Sequence, residues 1–158
     1  MLLQGKKGLV MGIANERSIA WGIAHEAYQN GAKLCLTYQN ELFKERIDKF
    51  KMSKKMMQTI HKSIQNEDFE TIEKSATTLY NWSKEMIKYF PEGSDGAPSE
   101  ASTDIWLDPD GFKKAVNNFE LASLKLINKS KEKDFDKTVE SFRSLAGTCK
   151  ACHQKFRN

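Results

Sequence analysis

Beyond residue 40 the apolar positions recur at helical spacing. Phe43, Ile47, Phe50, Met57, Ile60 and Ile64 fall on one face. Phe69, Ile72, Ala76, Leu79, Ser83, Met86 and Phe90 form a second set, and Phe112, Ala115, Phe119, Ala122 and Leu126 a third. Phe135, Val139, Phe142, Leu145, Cys149, Cys152 and Phe156 form the fourth. Steps of three and four predict four amphipathic helices of about 20 residues each, the pattern of an antiparallel four-helix bundle. Polar punctuation agrees. Asn66-Glu67-Asp68 closes one helix and caps the next, Asp108-Pro109 supplies a cap and a first-turn proline, and Asp134 caps the last. Pro91 to Asp104 reads as a turn-rich loop.

The first 45 residues read differently. Gly8 to Ala14 is a short apolar run into a glycine turn, and Ala32 to Tyr38 a second apolar run. Between them Ser18 to Asn30 reads as a helix, with Ser18 as its cap and Gly31 as its stop. The expected arrangement is two buried parallel strands joined by a crossover helix, a βαβ unit. The fold class is therefore mainly α, with a βαβ segment over 1–45 and a helical bundle over 46–158.

Composition narrows the function classes. The net charge of +4 is mild and spread along the 158 residues, which gives no footprint for nucleic acid or a membrane surface. The mean hydropathy is -0.62, and no apolar run approaches the length of a membrane span. Three cysteines are too few for a disulfide scaffold. The N-terminal apolar stretch is short and lacks a small-residue cleavage site, so the chain as written is expected to start in the cytoplasm.

The chemistry concentrates at the C-terminus. Cys149-Lys150-Ala151-Cys152-His153 is C-x-x-C-H, the signature of covalent haem attachment. On a helix, positions i, i+3 and i+4 share a face. Both thiols can then form thioethers to the two haem vinyl groups, and His153 can ligate the iron as its axial metal ligand. Three weaker readings compete. A redox C-x-x-C normally opens a helix after a strand. A structural zinc needs four ligands, and only Cys35, His25 and His61 remain. A pair of buried core cysteines is the third.

With GTCKACHQKFR (147–157), FPEGSDG (90–96), TDIW (103–106), GFKKA (111–115) and RIDKFKMSKKM (46–56), residues 46–158 resemble the cytochrome c-prime family of c-type cytochromes. The resemblance implies a haem c inside a left-handed four-helix bundle, near its C-terminal end. It implies a periplasmic electron carrier or a binder of diatomic gas (NO, CO), often a homodimer, and not an enzyme. In low-spin members a methionine four residues after a first-helix arginine binds iron. Here Arg46 plus four is Phe50, whose ring cannot coordinate. The resemblance thus implies a five-coordinate iron with Phe50 as distal lid. Met52, Met56 and Met57 lie nearby and are otherwise core and surface filler. Arg157 matches a proximal-side arginine of the family; the other reading is a solvated charge favoured by the helix dipole.

Residues 5–41 resemble a second family, the NADH-dependent enoyl-acyl-carrier-protein reductases, which have a Rossmann-type fold. The match runs through Gly12, Ser18, Ile19, Ala20 and Gly22 and through Thr37 to Gln39. A glycine turn lets a pyrophosphate reach a helix N-terminus, so Gly12, Ser18, Ile19 and Gln39 mark a vestigial NAD site. That family's catalytic tyrosine and lysine are missing: no tyrosine here has a lysine seven positions on. NAD is not expected as a cofactor.

Two functional readings follow. In the first the chain is a haem-binding module that exchanges electrons with a redox partner protein or binds a gas. In the second it is a non-functional reductase fragment fused to a haem-free bundle. Attachment of haem to C-x-x-C-H takes place outside the bacterial inner membrane, so the absence of a leader separates the two. A partner-binding helical bundle is the third, least specific reading.

Overall fold

The structure, a computed structural model, describes residues 2–13, 18–38, 41–95 and 99–158. The chain forms two compact units, Met1–Phe43 and Lys44–Asn158.

The first unit holds β1 (Lys7–Ile13), α1 (Ile19–Gln29) and β2 (Lys33–Tyr38). The strands pair in parallel, with Leu9 opposite Cys35 and an irregularity between Val10 and Ile13. Gly12 takes φ 76°, a left-handed conformation that side chains disfavour. Its N–H donates to Thr37 Oγ1 at 3.1 Å. Ser18 Oγ accepts from Trp21 N at 3.2 Å and starts α1. The strands are not the buried ones the apolar runs predict. Leu9 is 60% exposed, Met11 and Leu36 are exposed too, and only Ile13 of β1 is buried. Among the described residues the sheet has two strands, too few to cover both its faces.

The second unit is built on α2 (Glu41–Gln65), α3 (Phe69–Glu85), α5 (Pro109–Lys131) and α6 (Phe135–Phe156), with a short α4 (Asp104–Leu107) inside the long connection. Lys49 pairs with Glu85, joining the early part of α2 to the end of α3. Lys131 pairs with Glu73 and Lys125 with Glu140. His61 of α2 lies against Phe142 of α6, ring centroids 6.1 Å apart. These early-to-late pairings make neighbouring helices antiparallel and close a ring of four. The core is Ile60, Ile72, Leu79, Trp82, Leu126 and Leu145, all buried.

Two details depart from the periodic reading. The second helix loosens after Glu85 into a 3-10 turn, Met86–Tyr89, just before Pro91, because the approach to a proline disfavours α geometry. On α6 the buried line is Thr138, Ser141 and Leu145, while Phe135 is 43% exposed. The stripe is rotated by one position toward small hydroxyl residues, which let the neighbouring helices approach.

Asp68, Asp108 and Asp134 cap three helices, their Oδ1 atoms accepting from Thr71, Gly111 and Lys137 N at 3.0 Å each. A Cβ at Gly111 would meet the Asp108 carboxylate, so a larger residue there would oblige the cap to shift. Hydrogen bonds to the charged form hold all three carboxyls below the usual range. A depressed folded pKa contributes stability above the unfolded value of about 3.9, and this is lost as pH falls through the folded values. The thermal midpoint should therefore stay level from pH 7 to about 5 and drop below about 4. Asparagine also caps helices, so D68N, D108N and D134N together should flatten that acid limb while the protein still folds. An acid limb as steep in the triple variant as in the native chain would contradict the assignment.

Candidate functional site

Cys149, Cys152 and His153 lie on the last turns of α6. The i, i+3, i+4 spacing sets them along one side of the helix. Both cysteines are half-buried and free of disulfide, and His153 is exposed. Burial pushes the Cys149 thiol up, and pushes Cys152 up to about 11, helped by neighbouring Cys149. Burial holds His153 below its usual value; Arg157 adds to this and Glu100 opposes it.

These directions separate the rival readings of the motif. A redox C-x-x-C works through a thiolate with a lowered pKa, and here burial acts the other way. Among the described residues no three His, Cys, Asp or Glu side chains gather as a metal-ligand set. Cys35 is exposed on β2, in the first unit. In haem-free protein, iodoacetamide should therefore reach Cys35 first. Cys152 should lag on the order of tenfold to a hundredfold behind an ordinary thiol, the lower thiolate fraction outweighing its higher nucleophilicity. Peptide mass mapping over time reads this; equal rates at Cys35 and Cys152 would contradict it.

The end of α6 is tied down. Arg157 forms an antiparallel bridge with Ala101. Ser102 N donates to Phe156 O at 3.0 Å, and Asn158 N to Glu100 O at 2.9 Å. Arg157 Nε donates to Glu100 Oε2 at 2.7 Å, and Lys155 pairs with Asp108, the cap of α5. Backbone and charge together hold the turn that follows His153. An open groove of about 400 Å³ runs between α5 and α6 beside Cys152, lined by small residues such as Gly111, Ala115 and Ala151 and by the polar Lys114, Asn118 and Lys155.

Phe50 on α2 reaches the same end through a run of aromatic rings. Its centroid is 6.2 Å from Phe90, Phe90 is 5.0 Å from Phe112, and Phe112 is 5.4 Å from Phe156. All these pairs meet edge to face, the favoured geometry. Phe156 lies three residues beyond His153. Met52, Met56 and Met57 are half-buried on α2.

Arg46 is the unforeseen centre of this region. It is 3% exposed. Its guanidinium donates to Tyr89 O (3.0 Å), Ser94 Oγ (2.8 Å), Ser94 O (2.6 Å) and Ser99 Oγ (2.9 Å). It also lies over the Phe90 ring, 4.4 Å from the centroid. A fork of five donors is suited to gather a loop in this way. In sequence the only signal was an arginine at the start of a helix. Glu100 was equally hidden, 57 positions from its partner Arg157.

The proposed dinucleotide residues are less assembled. Gly12 lies within β1, Ser18 caps α1, and Ile19 is 84% exposed. Gln39 lies outside the described residues, as do Ala14 and Gly96 of the quoted segments.

Residues 41–157 match the family model described as Cytochrome C'. The chain belongs to the cytochrome c′ family. Cytochromes c′ are electron-carrying haem proteins, c-type cytochromes rather than enzymes, and carry covalently attached haem c. The cytochrome c′ of Rubrivivax gelatinosus is 25% identical, with 75% of this chain and 95% of that chain covered and a TM-score of 0.67. The cytochrome c prime of Shewanella frigidimarina shares the fold at 21% identity, 75% and 94% coverage and a TM-score of 0.69. The N-terminal region is similar to another group. The enoyl-[acyl-carrier-protein] reductase [NADH] of Rickettsia bellii is 54% identical over 46 residues, 29% of this chain and 18% of that protein. That of Rickettsia prowazekii is 43% identical over 89 residues, 56% of this chain and 32% of that protein. The chain thus spans less than a third of the length of these curated reductases. Among the described residues, no helix is long and apolar enough to cross a membrane.

Proposed function

We propose that this chain carries one haem c, joined by thioethers to Cys149 and Cys152, with His153 as the proximal iron ligand. The observation that carries the reading is the placement of two half-buried thiols and an imidazole on one tethered end of α6. The donor set fits such a group. Burial keeps the thiols protonated, and it favours the neutral imidazole, the form that ligates metals. The edge-to-face rings of Phe112 and Phe156 offer apolar surface beside the motif. Haem would supply one-electron redox chemistry and an open coordination position.

Phe50 is the distal lid in this reading. Its ring offers no lone pair, excludes water, and leaves the sixth position open to nitric oxide or carbon monoxide. Arg157 serves the proximal side, where Glu100 already holds its guanidinium. The same reading makes residues 46–158 a cytochrome domain and residues 1–45 a partial Rossmann-like segment with a vestigial dinucleotide turn. The protein works in the periplasm, passes electrons to a redox partner, and forms a homodimer. One related cytochrome c′ is described by its ligand-controlled dimer dissociation.

Intact-mass spectrometry and a visible spectrum of the purified full chain test this. A mass raised by one haem and a carbon monoxide difference spectrum are expected. A full-length mass without haem would overturn the reading and leave a reductase fragment on a haem-free bundle. A haem-bearing protein that binds no carbon monoxide would overturn the open sixth position alone.

A further inference from the structure

Among the described residues three buried side-chain polar atoms have no hydrogen-bond partner: Trp82 Nε1, Thr138 Oγ1 and Ser141 Oγ. They are not equivalent. A helical serine or threonine hydroxyl can rotate to bond a carbonyl one turn back, as Ser123 does with Phe119 O. An indole N–H is donor-only, with its direction set by the ring, and its own helix offers no spare acceptor. Trp82 is 1% exposed, so bulk water does not serve it. A buried donor without an acceptor is costly and calls for an absent partner.

The neighbours of Trp82 tie it to the Phe50 side of the bundle. Its ring meets Phe50 edge-on at 5.7 Å and Tyr89 at 5.1 Å. Lys49 Nζ stands 5.7 Å from the ring centroid. Lys49 pairs with Glu85, and its ammonium is a donor that cannot serve the indole. Trp82 thus packs against the residue assigned as distal lid and carries an unspent donor.

We infer that the Trp82 indole N–H is a ligand-binding donor on the Phe50 side of the haem site. Its acceptor is an oxygen that arrives with the haem group: a carboxylate oxygen of the macrocycle, or the oxygen of a diatomic ligand. The inference rests on the haem reading above. It adds a specificity-determining residue that the C-x-x-C-H motif does not contain. A donor at this position would favour ligands with a polar outer atom over apolar ones of the same size.

The test uses the full chain, 15N-labelled, in its haem-free form and in its haem-loaded, reduced, carbon monoxide-bound form, which is diamagnetic. The indole proton of Trp82 should move downfield on loading, and its exchange with solvent should slow about tenfold, the scale of one net hydrogen bond. An unmoved indole proton in protein that carries covalent haem would overturn the inference alone. Absence of covalent haem by intact mass would overturn the reading beneath it, and the inference with it. W82F then separates the sources. A shifted C–O stretching frequency with an unchanged reduction potential assigns the diatomic ligand. A shifted potential with an unchanged stretch assigns the carboxylate. If W82F loads haem and moves neither, no donor acts there and the inference falls. The measurement on native protein stands even if W82F does not fold.

Discussion

Replacing Cys149 and Cys152 together by serine should leave a folded, colourless bundle with no haem surviving denaturation. The expected effect is complete loss, because an oxygen cannot replace sulfur in the thioether link. The fold should hardly register the change. Both positions are half-buried and free, and a hydroxyl nearly conserves the volume, so the haem-free form should move by less than about 1 kcal/mol. The haem-loaded native protein should gain stability that the variant lacks, since a group bound only by the folded state shifts the equilibrium toward it. Either single variant should keep one thioether and part of the colour. H153A should keep both thioethers and lose the axial ligand, giving covalent haem with an altered spectrum. Haem staining after denaturing electrophoresis, with circular dichroism as the folding control, reads all four proteins. Covalent haem persisting in the double variant would sink the attachment assignment.

Arg46→Met should be the most damaging single change outside the cysteine motif. Methionine keeps the apolar stem and removes the hydrogen bonds to Tyr89, Ser94 and Ser99. It leaves the Tyr89 and Ser94 carbonyls and two serine hydroxyls to find new partners around a site that is 3% exposed. Truncating one side of a buried, charge-assisted network costs on the order of 3 kcal/mol. With a urea m-value of about 2 kcal/mol/M, the midpoint should fall by roughly 1.5 M. Arg46→Lys should recover little of it, because a point charge on a flexible stem cannot address the divergent acceptors as a planar fork does. The damage should spread to the Phe50 side, since Arg46 carries Phe90 on its face and Phe90 touches Phe50. Loss of less than about 1 kcal/mol would mean that the loop after Tyr89 holds itself in place.

The C-x-x-C-H cluster was legible because it is local. Cys149, Cys152 and His153 need only one regular helix to bring them together, and helical periodicity is written in neighbouring residues. The caps at Asp68, Asp108 and Asp134 were legible for the same reason, each bonding a residue three positions on. Arg46 was visible only as a register mark for Phe50, and its burial depends on a loop more than 40 positions away. Phe135 reads as core by its apolar side chain, yet α6 turns Thr138 and Ser141 inward. Packing between helices chose the smaller residues, a preference that periodicity alone does not carry.

By itself the sequence determined four long helices, their caps at Asp68, Asp108 and Asp134, the order strand, helix, strand before them, and the C-x-x-C-H turn, because each depends on interactions within a few residues. Tertiary structure alone decided that Arg46 is an anchor, that Glu100 and Ala101 tether the turn after His153, and that Phe50 joins Phe156 through two intervening rings. It also decided that Trp82 carries a buried donor without an acceptor. These pairings join residues far apart in the chain, where spacing holds no information and only the packing of whole helices sets which side chains meet.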